Sequence, residues 1–511
     1  MTTIREWRNS FVPINRIPLD VLSLIPTHLS SHNDRFRASF VCRHWRRTFL
    51  QHAELWSELF LSGGEVYVKT LLGRAKGSPL DVFVTSFAPD STVALLSART
   101  KQIRCLDFLG GEWRGVQRFS EVNSGPLPLL RTLSINISRE HPLDTLDSTL
   151  PSQPLFQNAV NLKVLRIRSM SKRSPSLTPL VFPNLVLFYF STEPSEEFLA
   201  SHLLDFLEAS PMLRTVYMSI VADMSFEDVL EGRIVVLPNV KNFSLIMSDG
   251  GSVYEFAAHM SCPSVKFTSL MLRNDASNIA GEEIFPTRAS WEAIVCQYTR
   301  NPVEEVTIEI KSSITISSKL TFRSTDATVV ELRFKVVDED PDSFPVFHIS
   351  SEEVLAQATG SVKNHPQLNH VKRLHVCHSL HSLVSPEVSY IAGEVGRLFK
   401  SVGPLDQLTI YDCDLRPYLH SFLILEDEVE EPVVFPPIKE LTIAHPEHVS
   451  SEECLAIVEL AKSQHASGTP FERVVIRRES MFTGMEERLR PWVGSVEYWY
   501  EELHDDPWSP R

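Results

Sequence analysis

Leu162-Lys163-Val164-Leu165-Arg166-Ile167 is a stretch that ends in an alternation of apolar and polar residues. Leu165 and Ile167 stand two apart, the spacing of side chains on one face of a β-strand, and Arg166 falls on the opposite face. Six residues decide little alone, but the pattern returns. L-x-x-L-x-L, with Val, Ile, Phe or Met admitted, occurs thirteen times between Ile103-x-x-Leu106-x-Phe108 and Phe471-x-x-Val474-x-Ile476, and Val493-x-x-Val496-x-Tyr498 makes a terminal fourteenth. Its middle residues lie from 23 apart (Leu165 to Phe188) to 42 apart (Leu332 to Leu374). A unit recurring at such a period, one strand at a time, is the mark of a repeat architecture.

Between the strands lie helix signals. Leu199, Leu203 and Leu207 follow a helical period, as do Ile391, Val395, Leu398 and Val402. Ser350 with Glu353 and Ser450 with Glu453 have capping-box spacing. A proline precedes many triplets, among them Pro128, Pro183, Pro211 and Pro238, where it ends one segment and starts the next. One strand and one helix per unit resembles an irregular leucine-rich-repeat solenoid. That resemblance implies an α/β fold with a curved parallel sheet and helices on the convex side. The competing arrangement is a doubly wound α/β domain, whose strands read as continuous apolar runs. Polar residues interrupt these strands, and no glycine-rich phosphate-binding loop follows any of them.

The chain has 511 residues, 43% apolar and 22% charged, with a net charge of −15. Residues 1–60 hold eight Arg and five acidic residues, a balance of +3, which leaves −18 for the remainder. An acidic body argues against a general nucleic-acid binder, which needs cations to displace counterions from phosphates. The seven cysteines form no C-x-x-C pair, as expected of reduced intracellular thiols. No apolar run reaches the length of a membrane span, and the N-terminus has no signal-peptide core. We therefore expect a cytoplasmic or nuclear protein with no membrane association.

The N-terminal module has a different grammar. From Ile17 to Trp56 the sequence is IPLDVLSLIPTHLSSHNDRFRASFVCRHWRRTFLQHAELW. Pro18 suits a first helical turn. Val21, Leu22, Ile25 and Leu29 make an apolar face, and Phe36, Phe40, Val41 and Trp45 follow at helical spacing. A third helical stretch runs from Phe49 to Leu55-Trp56. Such short helices carry more apolar surface than about forty residues can bury. The order Ile17-Pro18, Val21-Leu22, Ile25, Leu29, Val41-Cys42-x-x-Trp45 and Leu55-Trp56 resembles the F-box. The resemblance implies docking on the Skp-type adaptor of cullin-RING ubiquitin ligases through Pro18, Leu22, Ile25, Leu29, Val41 and Trp45. Pro26 departs from the family pattern and predicts a bent or broken first helix.

The expected organisation is a tail over 1–14, an F-box domain over 15–60, linking helices or a cap over 61–100, a repeat body over 101–500 and a tail over 501–511. Outward strand positions then form a target surface. We single out Arg166, Arg168, Tyr189, Tyr217, Arg333, Arg373, His375 and Tyr411, since Tyr and Arg dominate interface hot spots. The competing reading is an ordinary solvated face with cross-strand ion pairs.

Catalytic signals are weak. HVKRLHVCHSLHS places His375 and Cys377 on one side of a strand, but no second ligand pair at fixed spacing accompanies them. Asp338-Glu339-Asp340-Pro341-Asp342 lacks the glycine and terminal glutamate of a calcium loop. Glu426–Glu431 is an acidic run that reads as an exposed insertion. The expectation is a non-enzymatic substrate receptor without cofactor or metal. It binds the adaptor, through it a cullin, and an unknown protein target. The alternative is an adaptor-bound scaffold that supports no ubiquitination.

Overall fold

The computed structural model describes residues 12, 17–29, 32–85, 88–111, 113–123, 125–137, 159–169, 177, 180–192, 198–220, 224–230, 232–247, 250–275, 303–312, 315–324, 329–337, 371–380, 404–411, 437–444, 451–477 and 484–499. The fold is mixed α/β with mostly parallel strand pairing. It divides into two compact units, Met1–Val229 and Leu230–Arg511.

The first unit opens with helices α1 (Leu19–Leu24), α2 (His32–Ala38) and α3 (Arg43–Gln51). Strands β1 (Glu58–Phe60), β2 (Leu80–Thr85), β3 (Ile103–Gly111), β4 (Thr132–Ile137), β5 (Val164–Ser169) and β6 (Leu187–Thr192) follow, then β7 (Phe198–Leu199), β8 (Thr215–Ile220) and β9 (Met224–Ser225). Strands β1 to β6 and then β8 pair in parallel, each with the next along the chain. Short β7 pairs with β9. Helices α4 (Glu65–Ala75), α5 (Asp90–Ala94), α6 (Trp113–Val122) and α7 (Ala200–Glu208) lie in the connections.

The register aligns the triplets' apolar positions. Leu59, Val82, Leu106, Leu133, Leu165, Phe188 and Val216 are successive partners across seven strands, and none is more than 1% exposed. Val84, Phe108, Ile135, Ile167, Phe190 and Met218 form the next buried row. A one-residue slip would turn Arg166 or Asp107 into this core, so the alternation fixes the register. Helices pack on the same face. Phe119 of α6 meets Phe108 edge-on at 5.5 Å, and Phe206 of α7 lies 4.6 Å from Phe188.

Six of the described strands are approached through the same turn. The amides of Leu130, Leu162, Leu185, Leu213, Val240 and Val265 donate to the carbonyls three residues earlier, of Leu127, Ala159, Phe182, Ser210, Leu237 and Cys262. In five of the six, the second residue of the turn is proline (Pro128, Pro183, Pro211, Pro238, Pro263). There its fixed φ is already correct for the turn and its missing N–H costs nothing. Asparagines tie successive turns together: Asn161 Nδ2 donates to Pro128 O at 2.8 Å, and Asn184 Nδ2 to Val160 O at 3.2 Å. Proline therefore stops one segment and starts the next by making a turn.

The second unit contains β10 (Val235–Val236), β11 (Asn242–Met247), β12 (Met260–Ser261), β13 (Phe267–Asp275), β14 (Val303–Ser312), β15 (Thr315–Ser324), β16 (Val329–Val337), β17 (Arg373–Leu380), β18 (Leu405–Tyr411), β19 (Ile438–Ala444), β20 (Arg473–Arg477) and β21 (Ser495–Trp499). Its described helices are α8 (Gly250–Ala258), α9 (Ser451–Ala466) and α10 (Met485–Leu489). Strands β17 to β21 pair in parallel in chain order. Upstream the order reverses. β13 runs parallel to β16, β16 antiparallel to β15, β15 antiparallel to β14, and β14 parallel to β17.

Two expectations need correction. The triplets starting at Val303 and Val329 lie on strands, but β15 stands between them, so they are not parallel neighbours. Only residues 313 and 314 separate β14 from β15. A link that short closes an antiparallel hairpin, whereas a parallel crossover takes a dozen residues or more. The second concerns 61–100, expected to hold linking helices or a cap. It holds α4 and α5 but also β2, and the sheet already begins at β1, inside the span 15–60 expected to be helical. The helix signals at 350–353 and 391–402, the acidic segments at 338–342 and 426–431, and the terminal tail 501–511 lie outside the described residues.

Candidate interaction site

The N-terminal module is held by a small apolar core. Leu22, Trp45, Phe49, Leu55 and Trp56 are buried. Trp45 stacks on Phe49 with centroids 5.7 Å apart, and Trp56 Nε1 donates to Phe49 O at 2.9 Å. The Arg74 guanidinium of α4 lies 4.6 Å from the centre of the Trp56 ring, a cation–π contact that seals the module's end. Two backbone bonds then continue into the sheet: Asp81 N donates to Ser57 O at 2.9 Å, and Leu61 N to Phe83 O at 2.9 Å. Module and first strands are thus one packed body.

Pro26 acts where the sequence places it. α1 ends at Leu24, and Ile25–His28 form a 3-10 turn instead of a continued α-helix. Proline has no N–H to give to Leu22, which removes the bond that would extend α1. The second segment also differs from expectation. Phe36, Phe40, Val41 and Trp45 do not share one helix, because Ser39, Phe40 and Val41 each donate to a carbonyl three residues back and Cys42 is extended at φ −156°. Ser39 adds its hydroxyl to Phe36 O at 2.7 Å and closes α2. The third stretch divides likewise, into α3 and a 3-10 turn at Ala53–Trp56.

These breaks sort the six candidate adaptor residues. Leu22 and Trp45 are core residues, Ile25 and Leu29 are half-buried, and Pro18 and Val41 are exposed. Three residues outside the candidate set stand beside them: Val21 at 46%, Leu24 at 57% and Phe40 at 57% exposure, with Val41 at 59%. For Val21 and Leu24 the signal is the surplus of apolar residues in and just after α1, where Val21-Leu22 and Leu24-Ile25 cannot all turn inward. On the first turn of α3, His44 Nε2 and Trp45 Nε1 are buried without a hydrogen-bond partner.

The second candidate surface is the strand face away from the helices. Arg166, Tyr189 and Tyr217 are register partners in one row, with Arg168 two residues along β5. The two tyrosine rings stack at 4.5 Å and 2°. Burial pushes the Tyr217 hydroxyl up, and its contact with Tyr189 adds to this. On β3, burial raises Asp107, while hydrogen bonding by Ser134 and the charge of Arg166 act the other way. Burial likewise pushes the Cys105 thiol up to about 11.

The remaining candidates belong to the second unit. Arg333 lies at the register position of Met271 on β13, and Tyr411 is paired with Cys377 and Ala444. Arg373 and His375 are half-buried on β17. Among the described residues no His, Cys, Asp or Glu group could hold a metal ion. His370, His378 and His381 are outside the residues whose side chains are described. No described helix is long and apolar enough to cross a membrane.

Residues 14–62 match the family model described as F-box-like. Domains of that family generally bind Skp-type adaptors. No curated protein matches this chain significantly.

Proposed function

We propose that the chain is the substrate-recognition subunit of an SCF-type cullin-RING ubiquitin ligase, with the F-box-like domain bound to the Skp-type adaptor. The rest of the chain is read as an irregular leucine-rich-repeat solenoid of the kind fungal F-box proteins carry, holding a protein target on its strand face. The observation that carries the adaptor half is the exposed apolar set Val21, Leu24, Phe40 and Val41 inside the matched segment. Apolar side chains concentrated on one small module favour burial by a partner.

In this reading the chain is intracellular and contributes no chemistry. It brings the target close to the ubiquitin-charged enzyme, and proximity supplies the rate. The continuous packing from Trp56 through Arg74 into β1 and β2 supports this role, because it carries the adaptor's position into the first strands without a hinge.

The test is mass spectrometry of what co-purifies with the intact chain, set beside a Phe40→Asp/Val41→Asp variant. Adaptor and cullin should accompany the intact chain and be lost from the variant. Adaptor without cullin would favour the non-ubiquitinating scaffold, and absence of both would overturn the proposal.

A further inference from the structure

Over β4, β5, β6 and β8 the strand face of the first unit carries a local charge opposite to that of the chain. The outward positions of β4 are Thr132, Ser134 and Asn136; of β5, Val164, Arg166 and Arg168; of β6, Leu187, Tyr189 and Ser191; of β8, Thr215, Tyr217 and Ser219. At the start of the same strands Arg131, Lys163 and Arg214 are exposed. That makes five cations and no carboxylate on four adjacent strands, within a chain of net charge −15. The nearest acid on the face is Asp107, one strand further on.

The second unit supplies a comparison inside the same molecule. Across β18 to β21 outward charges pair with one another. Arg473 bonds Glu440 on one side and Glu497 on the other, the latter at 3.2 Å, and Gln407 Nε2 donates to Glu440 Oε1 at 2.9 Å. Lys439 pairs with Asp406 at 2.6 Å. In the first unit Arg166 lies in register between Ser134 and Tyr189, and Arg168 between Asn136 and Ser191. Neither has an ion pair among the described residues. Guanidinium groups stay charged and fit carboxylates in bidentate fashion. Two of them on alternate positions of one strand, beside a flat tyrosine stack, form a cationic surface; in their rows the described residues offer one carboxylate, Asp107 on β3, which Arg166 reaches by charge and not by an ion pair.

We propose that this face, across β4, β5, β6 and β8, docks an extended acidic peptide segment of a partner protein, whose carboxylates meet Arg166 and Arg168 while an adjacent side chain packs on the Tyr189–Tyr217 stack. Four strands span about 14 Å, the length of about four extended residues. The proposal rests on the reading of this face as the target surface and gives that target its chemical class.

The test measures fluorescence anisotropy of a labelled decapeptide of alternating glutamate and serine titrated with the full-length chain, with alternating lysine and serine as the control. The acidic peptide should bind saturably and the basic one should not. Binding should weaken at least tenfold in Arg166→Glu/Arg168→Glu and on raising salt from about 50 to about 200 mM, as screening requires. It should be unchanged in Lys462→Glu on α9. Arg166→Gln/Arg168→Gln serves if charge reversal prevents folding, judged by circular dichroism. Adaptor co-purification is read in parallel, so that loss of peptide binding with the adaptor retained concerns this face alone. Equal affinity for the double variant, or no saturable binding by the folded chain, overturns the proposal. So does tighter binding of single-stranded DNA that the same variant abolishes, because the face would then belong to nucleic acid.

Discussion

Two thiols illustrate how environment sets reactivity at the residue scale. Burial pushes Cys105 up to about 11 and Cys262 up to about 12. The thiolate is the nucleophile, so both should resist alkylation. Iodoacetamide at pH 7.5 followed by peptide mass spectrometry should leave both unmodified in the folded chain and label both after denaturation. Labelling of either within minutes under native conditions would contradict the burial described. Pro26 and Ser39 act as strongly at this scale. One ends α1 by lacking a donor, the other closes α2 by bonding backward, and between them Val21, Leu24, Phe40 and Val41 are left facing water.

At the scale of the element, the strands are two-faced, and the two faces should respond differently to substitution. Leu165→Ala opens a cavity in a row buried across seven strands and should cost about 2–5 kcal/mol. Arg168→Ala, on the same strand but outward, should cost less than about 0.5 kcal/mol. Urea unfolding of the two variants checks this, and equal costs would mean that the register is wrong. The fourteen triplets are legible because their apolar period is that of a strand, and the two inner residues of each lie on one. β1 and β2 were not read. Trp56-x-x-Leu59-x-Leu61 has the triplet's form but was absorbed into the helical module, and β2 carries an irregularity between Leu80 and Asp81. β15 lacks the triplet, though Ile316, Leu320 and Phe322 at even spacing marked a strand. The site was half legible. Helical spacing grouped Val41 with Trp45, but it could not say that one is exposed and the other core, because turn hydrogen bonds decide that.

For the whole molecule, the proposed function turns on how target recognition and adaptor binding would be joined. The module, α4 and the first strands lie within one unit, and Trp56, Arg74 and the β1–β2 pairing connect them without a linker. A target held on the face of β4 to β8 would therefore stand at a fixed displacement from the adaptor. The direct measurement is calorimetric titration of the full-length chain with a Skp-type adaptor, for the native sequence and for Phe40→Asp/Val41→Asp. The account predicts saturable binding by the native chain, and at least a hundredfold loss in a variant whose melting temperature is unchanged. Undiminished binding by that folded variant, or no binding by the native chain, would contradict it.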